Sequence, residues 1–149
     1  SVNIQCVVDA AIADVASTAD RAGVTVETAG QHPGTVKGSY ELLVRAVANV
    51  LENAVKFSPV GGVVSVTTTL DLTHLLIRVH DDGHGMSPAE ARRAFERFWS
   101  ADTARSTPGH GLGLALVQQI ISGHGGSATI DSTPGAGSTV TLRLPLATS

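Results

Sequence analysis

Between Ile4 and about Ala22, apolar residues recur at Val8, Ala11, Ile12, Val15 and Ala19, a spacing that predicts one helix ending at Gly23. Residues 24–28 alternate as a strand does, and residues 35–37, reached through a turn-rich stretch at 30–34, are expected to pair with them as a hairpin. Ser39 reads as the N-cap of a long helix reaching about Phe57, because Leu43, Val47, Val50, Leu51 and Ala54 share one face; Pro59, Gly61 and Gly62 stop it. Two β-branched runs at 63–70 and 75–80, separated by a short turn, predict an antiparallel pair. Ser87 and Glu90 form a capping box for a short helix over 88–98. An apolar helix over 112–122 is closed by Gly123, Gly125 and Gly126, and two strands follow at about 128–131 and 138–144. The expected total is about six strands and three or four helices. Strands that pair consecutively, with helices grouped between them, predict an α+β two-layer sandwich rather than a doubly wound sheet.

Composition narrows the function classes. The 149 residues suit one domain, and 42% hydrophobic with 15% charged residues predicts a folded chain rather than a disordered one. A net charge of -3 with scattered Lys and Arg gives no footprint for a nucleic-acid backbone. The single Cys6 excludes an internal disulfide, and no Cys/His pair stands at zinc-ligand spacing, so a reducing, cytoplasmic setting is expected. No apolar run approaches the roughly 18 residues of a membrane span. The chain is therefore expected to be soluble, within a parent that is membrane-anchored.

Three segments carry candidate chemistry. On the second long helix, Arg45, Asn49, Glu52, Asn53 and Lys56 project from one side and the aliphatic residues from the other. Carboxamides at Asn49 and Asn53 with a nearby ammonium suit a metal-bound polyphosphate; an ordinary solvated helix face reads the same way. After the strand at 75–80, Asp81 precedes Gly83 and Gly85. A carboxylate there can accept from the exocyclic amine of adenine while the glycines let a flat ligand approach, although an Asp/Gly-rich turn needs no ligand. Gly109, Gly111 and Gly113 lead into the apolar helix, where free amides and the helix dipole favour anions. That stretch is neither GxxxxGK[ST] nor GxGxxG, which weakens the P-loop and dinucleotide readings. Residues 86–108 form an unusually long connection, expected to act as a lid at about 86–110. Within it Arg97 and Arg105 can reach a terminal phosphate or serve as surface arginines.

In order, NVLENAVKFS, DDGHGM, FERFW and GHGLGL resemble the N, G1, F and G2 boxes of sensor histidine kinases, within the superfamily that includes gyrase and MutL. The resemblance covers nearly the whole chain, residues 1–149, and implies a Bergerat-type sandwich: a mixed, mostly antiparallel sheet packed on about three helices, binding ATP with Mg²⁺. By that resemblance Asn53 ligates the metal, and Asn49 and Lys56 contact the phosphates. Asp81 reads adenine in a pocket shaped by Gly83 and Gly85, and Gly109, Gly111 and Gly113 hold phosphates. Met86, His110 and Leu112 line the nucleotide as members of the same boxes. Many relatives carry an arginine directly after the aromatic box, where this chain has Ser100, so Arg97 or Arg105 takes the terminal phosphate.

The ATP-hydrolysing relatives place a glutamate four residues before the metal-binding asparagine. That position is Asn49 here, and Glu52 is expected to point elsewhere, so rapid hydrolysis is disfavoured. The implied reaction is transfer of the γ-phosphoryl group to a histidine on a separate helical dimerisation domain of a two-component signal-transduction kinase that passes it to a response regulator. None of His32, His74, His80, His84, His110 and His124 has the acceptor's sequence context, and all six are expected to be turn or surface residues. The acceptor domain is thus expected outside this chain, the chain itself to be monomeric and the parent a homodimer. A serine kinase of the anti-sigma-factor type and a nucleotide-binding module without transfer activity are the alternatives.

Overall fold

A computed structural model of the chain describes residues 1–85, 87–95 and 113–147. In chain order the elements are β1 (Val2–Asn3), α1 (Ile4–Ala22), β2 (Thr25–Thr28), β3 (Thr35–Val36), α2 (Tyr40–Phe57), β4 (Val63–Leu70), β5 (His74–Asp81), α3 (Pro88–Arg93), α4 (Gly113–Gly123), β6 (Ser127–Thr133) and β7 (Gly137–Pro145).

Five strands form one sheet in the order β2-β4-β5-β7-β6, with β2 parallel to β4 and the remaining pairs antiparallel. Period-two alternation sets its inner face. Val64 and Val66 of β4, Leu75, Ile77 and Val79 of β5, and Val140, Leu142 and Leu144 of β7 are buried in one cluster with the apolar stripes of α1, α2 and α4. The α+β sandwich read from the sequence is therefore the observed architecture.

Local chemistry explains where the helices begin and end. The Asn3 side chain accepts from the amides of Gln5 and Cys6 at the start of α1, and Gly23 closes that helix in the left-handed region at φ 69°. Ser39 caps α2 by accepting from Leu42 N–H at 3.2 Å. The Ser87–Glu90 capping box opens α3 with Pro88 in its first turn. The helix ends at Arg93, with Ala94 as its C-cap and residues 94–95 in a turn, short of the expected end at 98; residues 96–98 lie outside the described residues.

Two expectations are corrected. Residues 24–28 and 35–37 do not form a hairpin: β2 runs parallel to β4, and β3 pairs antiparallel with β1, Val2 opposite Val36. The Val63–Leu70 edge offers β2 a longer apolar partner than the two-residue β3 can. His32 is not a surface residue, being 1% exposed between Gln5 and Thr68.

Candidate functional site

The alternation of β5 does not stop at its last aliphatic residue. Leu75, Ile77, Val79 and Asp81 occupy successive core-facing positions, so a carboxylate stands where the fourth apolar side chain would be. Asp81 pairs with Val64 on one side and Ser138 on the other, is 5% exposed, and accepts from Gly83 N–H at 2.9 Å through Oδ1. Burial pushes its carboxyl above the ordinary range, opposed by the Gly83 hydrogen bond. A carboxyl group is thus held at the rim of the core, where a donor from a ligand would offset the desolvation of its charged form.

The loop after β5 is shaped by contacts that only glycine permits. A Cβ at Gly83 would fall on the carbonyl oxygen of Phe57 and lie 2.8 Å from Asp81 Oδ1. Gly85, at φ 71°, backs onto Thr133 O, and Gly135 N–H donates to His84 O at 2.7 Å. The β6–β7 turn therefore buttresses the Asp81–Gly85 loop, and Gly137 makes room for Asp81 O in the same way. Sequence reasoning assigned that turn no role. Its signal was the glycine pair at 135 and 137, which belongs to the loop's support rather than to a ligand.

Along α2 the expected division of faces is present. Leu43, Ala46, Val47, Val50, Leu51, Ala54 and Val55 are buried, Asn49, Asn53 and Lys56 are half-buried, and Arg45 and Glu52 are exposed. No side-chain hydrogen bond to another described residue occupies Asn49 or Asn53, so two carboxamide oxygens suited to a hard cation stand one turn apart. The polar stripe does not line one cavity. Lys56 borders a concavity of about 360 Å³ with Phe57, Ser58, Asp82, Gly83 and His84. Asn49 borders another, of about 440 Å³, with Asp14, Tyr40, Arg45 and Glu52 in the groove between α1 and α2. Glu52 borders the same groove as Asn49, which Asn53 does not line. The Lys56 ammonium lies 5.6 Å from the Phe57 ring centroid, and that ring meets His84 edge-on at 5.8 Å.

Gly113 opens α4. Met86, Arg97, Arg105, Gly109, His110, Gly111 and Leu112, with Ser100 and the aromatic segment from residue 96 on, lie outside the described residues. Among the described residues no cluster of three or more His, Cys, Asp and Glu can hold a metal, and no helix is long and apolar enough to cross a membrane.

The family described as "Histidine kinase-, DNA gyrase B-, and HSP90-like ATPase" matches residues 38–148. The sensor-like histidine kinase SenX3 of Mycobacterium tuberculosis is 40% identical over 146 residues, which is 97% of this chain and 36% of SenX3. The signal transduction histidine-protein kinase/phosphatase MprB of Mycolicibacterium smegmatis is 49% identical over 115 residues, 74% of this chain and 23% of MprB. The chain thus spans about a third or less of the curated relatives it matches. Among solved structures, a mycobacterial sensor histidine kinase MprB superposes with a TM-score of 0.85 at 35% identity, covering 99% of each chain. Full-length ShkA in complex with AMPPNP superposes with the same TM-score, 0.85, at 27% identity over 99% of this chain and 31% of that one.

Proposed function

The chain belongs to the histidine kinase-, DNA gyrase B- and HSP90-like ATPase family, and from that premise we propose that it binds Mg-ATP and serves as the catalytic domain of a two-component sensor kinase. The observation that carries the reading is Asp81: a carboxylate at a core-facing strand position, aimed by the Gly83 amide, at the edge of a loop built from glycines. The AMPPNP in the ShkA structure supports an adenine nucleotide as the ligand of this fold.

In this reading Asp81 accepts from the adenine amine, a donor that guanine lacks at that ring position, and Gly83 and Gly85 leave the base room to lie against the backbone. Lys56 and Asn49 face the phosphates, and Asn53 holds the metal through its carboxamide oxygen. An oxygen-only donor set on a half-buried helix face fits Mg²⁺. Bound there, the metal supplies charge neutralisation on the phosphates. Gly113 at the start of α4, with Gly109, His110, Gly111 and Leu112 before it, turns amides toward the phosphates; Met86 lines the base; and Arg97 or Arg105 reaches the terminal phosphate.

The proposed reaction forms a bond from phosphorus to an imidazole nitrogen and breaks the bond from the γ-phosphorus to its bridging oxygen, releasing ADP. The chain's residues act by positioning and by neutralising charge. Relatives named as sensor histidine kinases favour a histidine acceptor over the serine of anti-sigma-factor kinases. That histidine belongs to a helical dimerisation domain of the parent, which passes the group to a response regulator, and the parent is proposed to be membrane-anchored.

Calorimetric titration with ATP, ADP and GTP, with and without Mg²⁺, tests the reading on the wild type and on Asp81→Asn. Adenine-selective binding, strengthened by Mg²⁺ and weakened about a hundredfold in the variant, is the expected result. A folded wild type that binds no nucleotide overturns it.

A further inference from the structure

His124 lies just past α4, outside every motif that marks the nucleotide site. Its imidazole nevertheless engages two elements at once. Nδ1 is 2.7 Å from the carbonyl oxygen of Ile120, and Nε2 accepts from the backbone N–H of Ser39, the N-cap of α2, at 3.1 Å. These contacts assign the ring's neutral tautomer: a carbonyl can only accept, so Nδ1 carries the proton, and an amide can only donate, so Nε2 carries the lone pair. A Cβ on Gly38 would fall on this ring, so the residue before the cap is one that leaves the imidazole room.

The position of this link gives it leverage. α4 packs along α2, and its C-terminal end is bonded to the N-terminal end of α2, so the two helices run in opposite senses. Eleven residues of α4 at about 1.5 Å each span about 16 Å. The other end of α4, at Gly113, is therefore directed toward the half of α2 that carries Asn49 and Asn53. Sliding or tilting one helix against the other changes the distance between Gly113 and the two asparagines, while Asp81, carried by β5, stays where it is.

We propose that His124 is a positioning residue: by bonding Ser39 N–H it sets the register of α4 against α2, and so the spacing of the groups that hold the phosphates. The inference rests on the nucleotide reading above and deepens it.

Amide replacements separate the two hydrogen bonds of the ring. Glutamine at this position reaches where Nε2 stands and keeps an acceptor for Ser39 N–H; asparagine reaches only where Nδ1 stands and keeps the bond to Ile120 O. The protein is titrated with Mg-ATP and with adenosine, below the melting temperature of each variant. His124→Asn is expected to weaken Mg-ATP about tenfold and adenosine less than about twofold, and His124→Gln to stay within about twofold of wild type for both. Ser39→Ala removes the cap but not the N–H. It is expected to lower the melting temperature and keep Mg-ATP affinity, which separates lost stability from lost register. If His124→Asn does not fold, Gly38→Ala, whose methyl displaces the ring, must show the same split between Mg-ATP and adenosine. Equal losses in the Gln and Asn variants, adenosine weakened as much as Mg-ATP, or no effect of either substitution overturns the proposal. A wild type that binds neither ligand removes the nucleotide reading as well, and does so before any substitution is made.

Discussion

The amide of Gly83 donates to Oδ1 of Asp81 at 2.9 Å, so a backbone group two residues on aims a carboxylate that burial would otherwise penalise. Desolvation raises the Asp81 carboxyl above its ordinary 3.8, so folding penalises its charged form relative to the unfolded chain. Its contribution is full below about pH 3.8, the unfolded value, and is lost as pH rises through the raised folded value. Asp81→Asn, which keeps an acceptor for Gly83 N–H, is therefore expected to melt at or above the wild-type temperature at pH 7.5, with the gap closing toward acid. Melting curves across that range check this, and a variant clearly less stable at pH 7.5 would contradict it.

His32 titrates with the opposite consequence. Its Nδ1 is 2.6 Å from Thr68 Oγ1, its Nε2 is buried without a hydrogen-bond partner among the described residues, and burial lowers its pKa below 6.5 although Asp9 raises it. The unfolded chain takes up the proton first, so stability is full above about pH 6.5 and falls as pH drops below it. His32→Asn retains a group at the Nδ1 position and removes the titration. Its melting temperature should fall less steeply than wild type between pH 6.5 and 5; identical slopes would show that His32 is not responsible.

Three glycines should separate folding from ligand approach. Gly83→Ala and Gly85→Ala set a Cβ against Phe57 O and Thr133 O respectively, and Gly85 also holds a positive φ, so each is expected to cost about 1–3 kcal/mol. At Gly113 a Cβ meets nothing within 4 Å among the described residues, and the backbone is helical. Gly113→Ala should therefore stabilise the free protein by up to about 1 kcal/mol while weakening Mg-ATP. Denaturant unfolding beside nucleotide titration measures both, and unchanged affinity would exclude Gly113 from the phosphate site.

Asn53→Ala tests the proposed metal ligand. Mg²⁺ should no longer strengthen ATP binding, whereas adenosine, which carries no phosphate, should bind as it does to wild type. A persisting Mg²⁺ effect of wild-type size would place the metal elsewhere.

Much of this was legible in the chain because it depends on neighbours in sequence. The apolar stripe of α2, the Ser39 and Ser87 caps, the glycine stop at Gly23 and the β4–β5 pairing are settled within a few residues by periodicity and capping. The expected hairpin at 24–37 failed because strand partners are chosen across the fold, and β2 finds the longer edge of β4. His32 was misread for the same reason, since its burial comes from Gln5 and Thr68, residues distant in sequence.

Residue types and spacing by themselves determined the fold class, the polar face carrying Asn49, Asn53 and Lys56, and the candidacy of Asp81. Only the tertiary structure decided that Asp81 sits at a core-facing position braced by the β6–β7 turn, that Lys56 and Asn49 border different concavities, and that His124 joins α4 to the cap of α2. The physical reason is range. Helical periodicity, caps and turns are decided within a few residues, whereas burial, pKa shifts and hydrogen bonds such as Ser39 to His124 arise only once distant segments pack together.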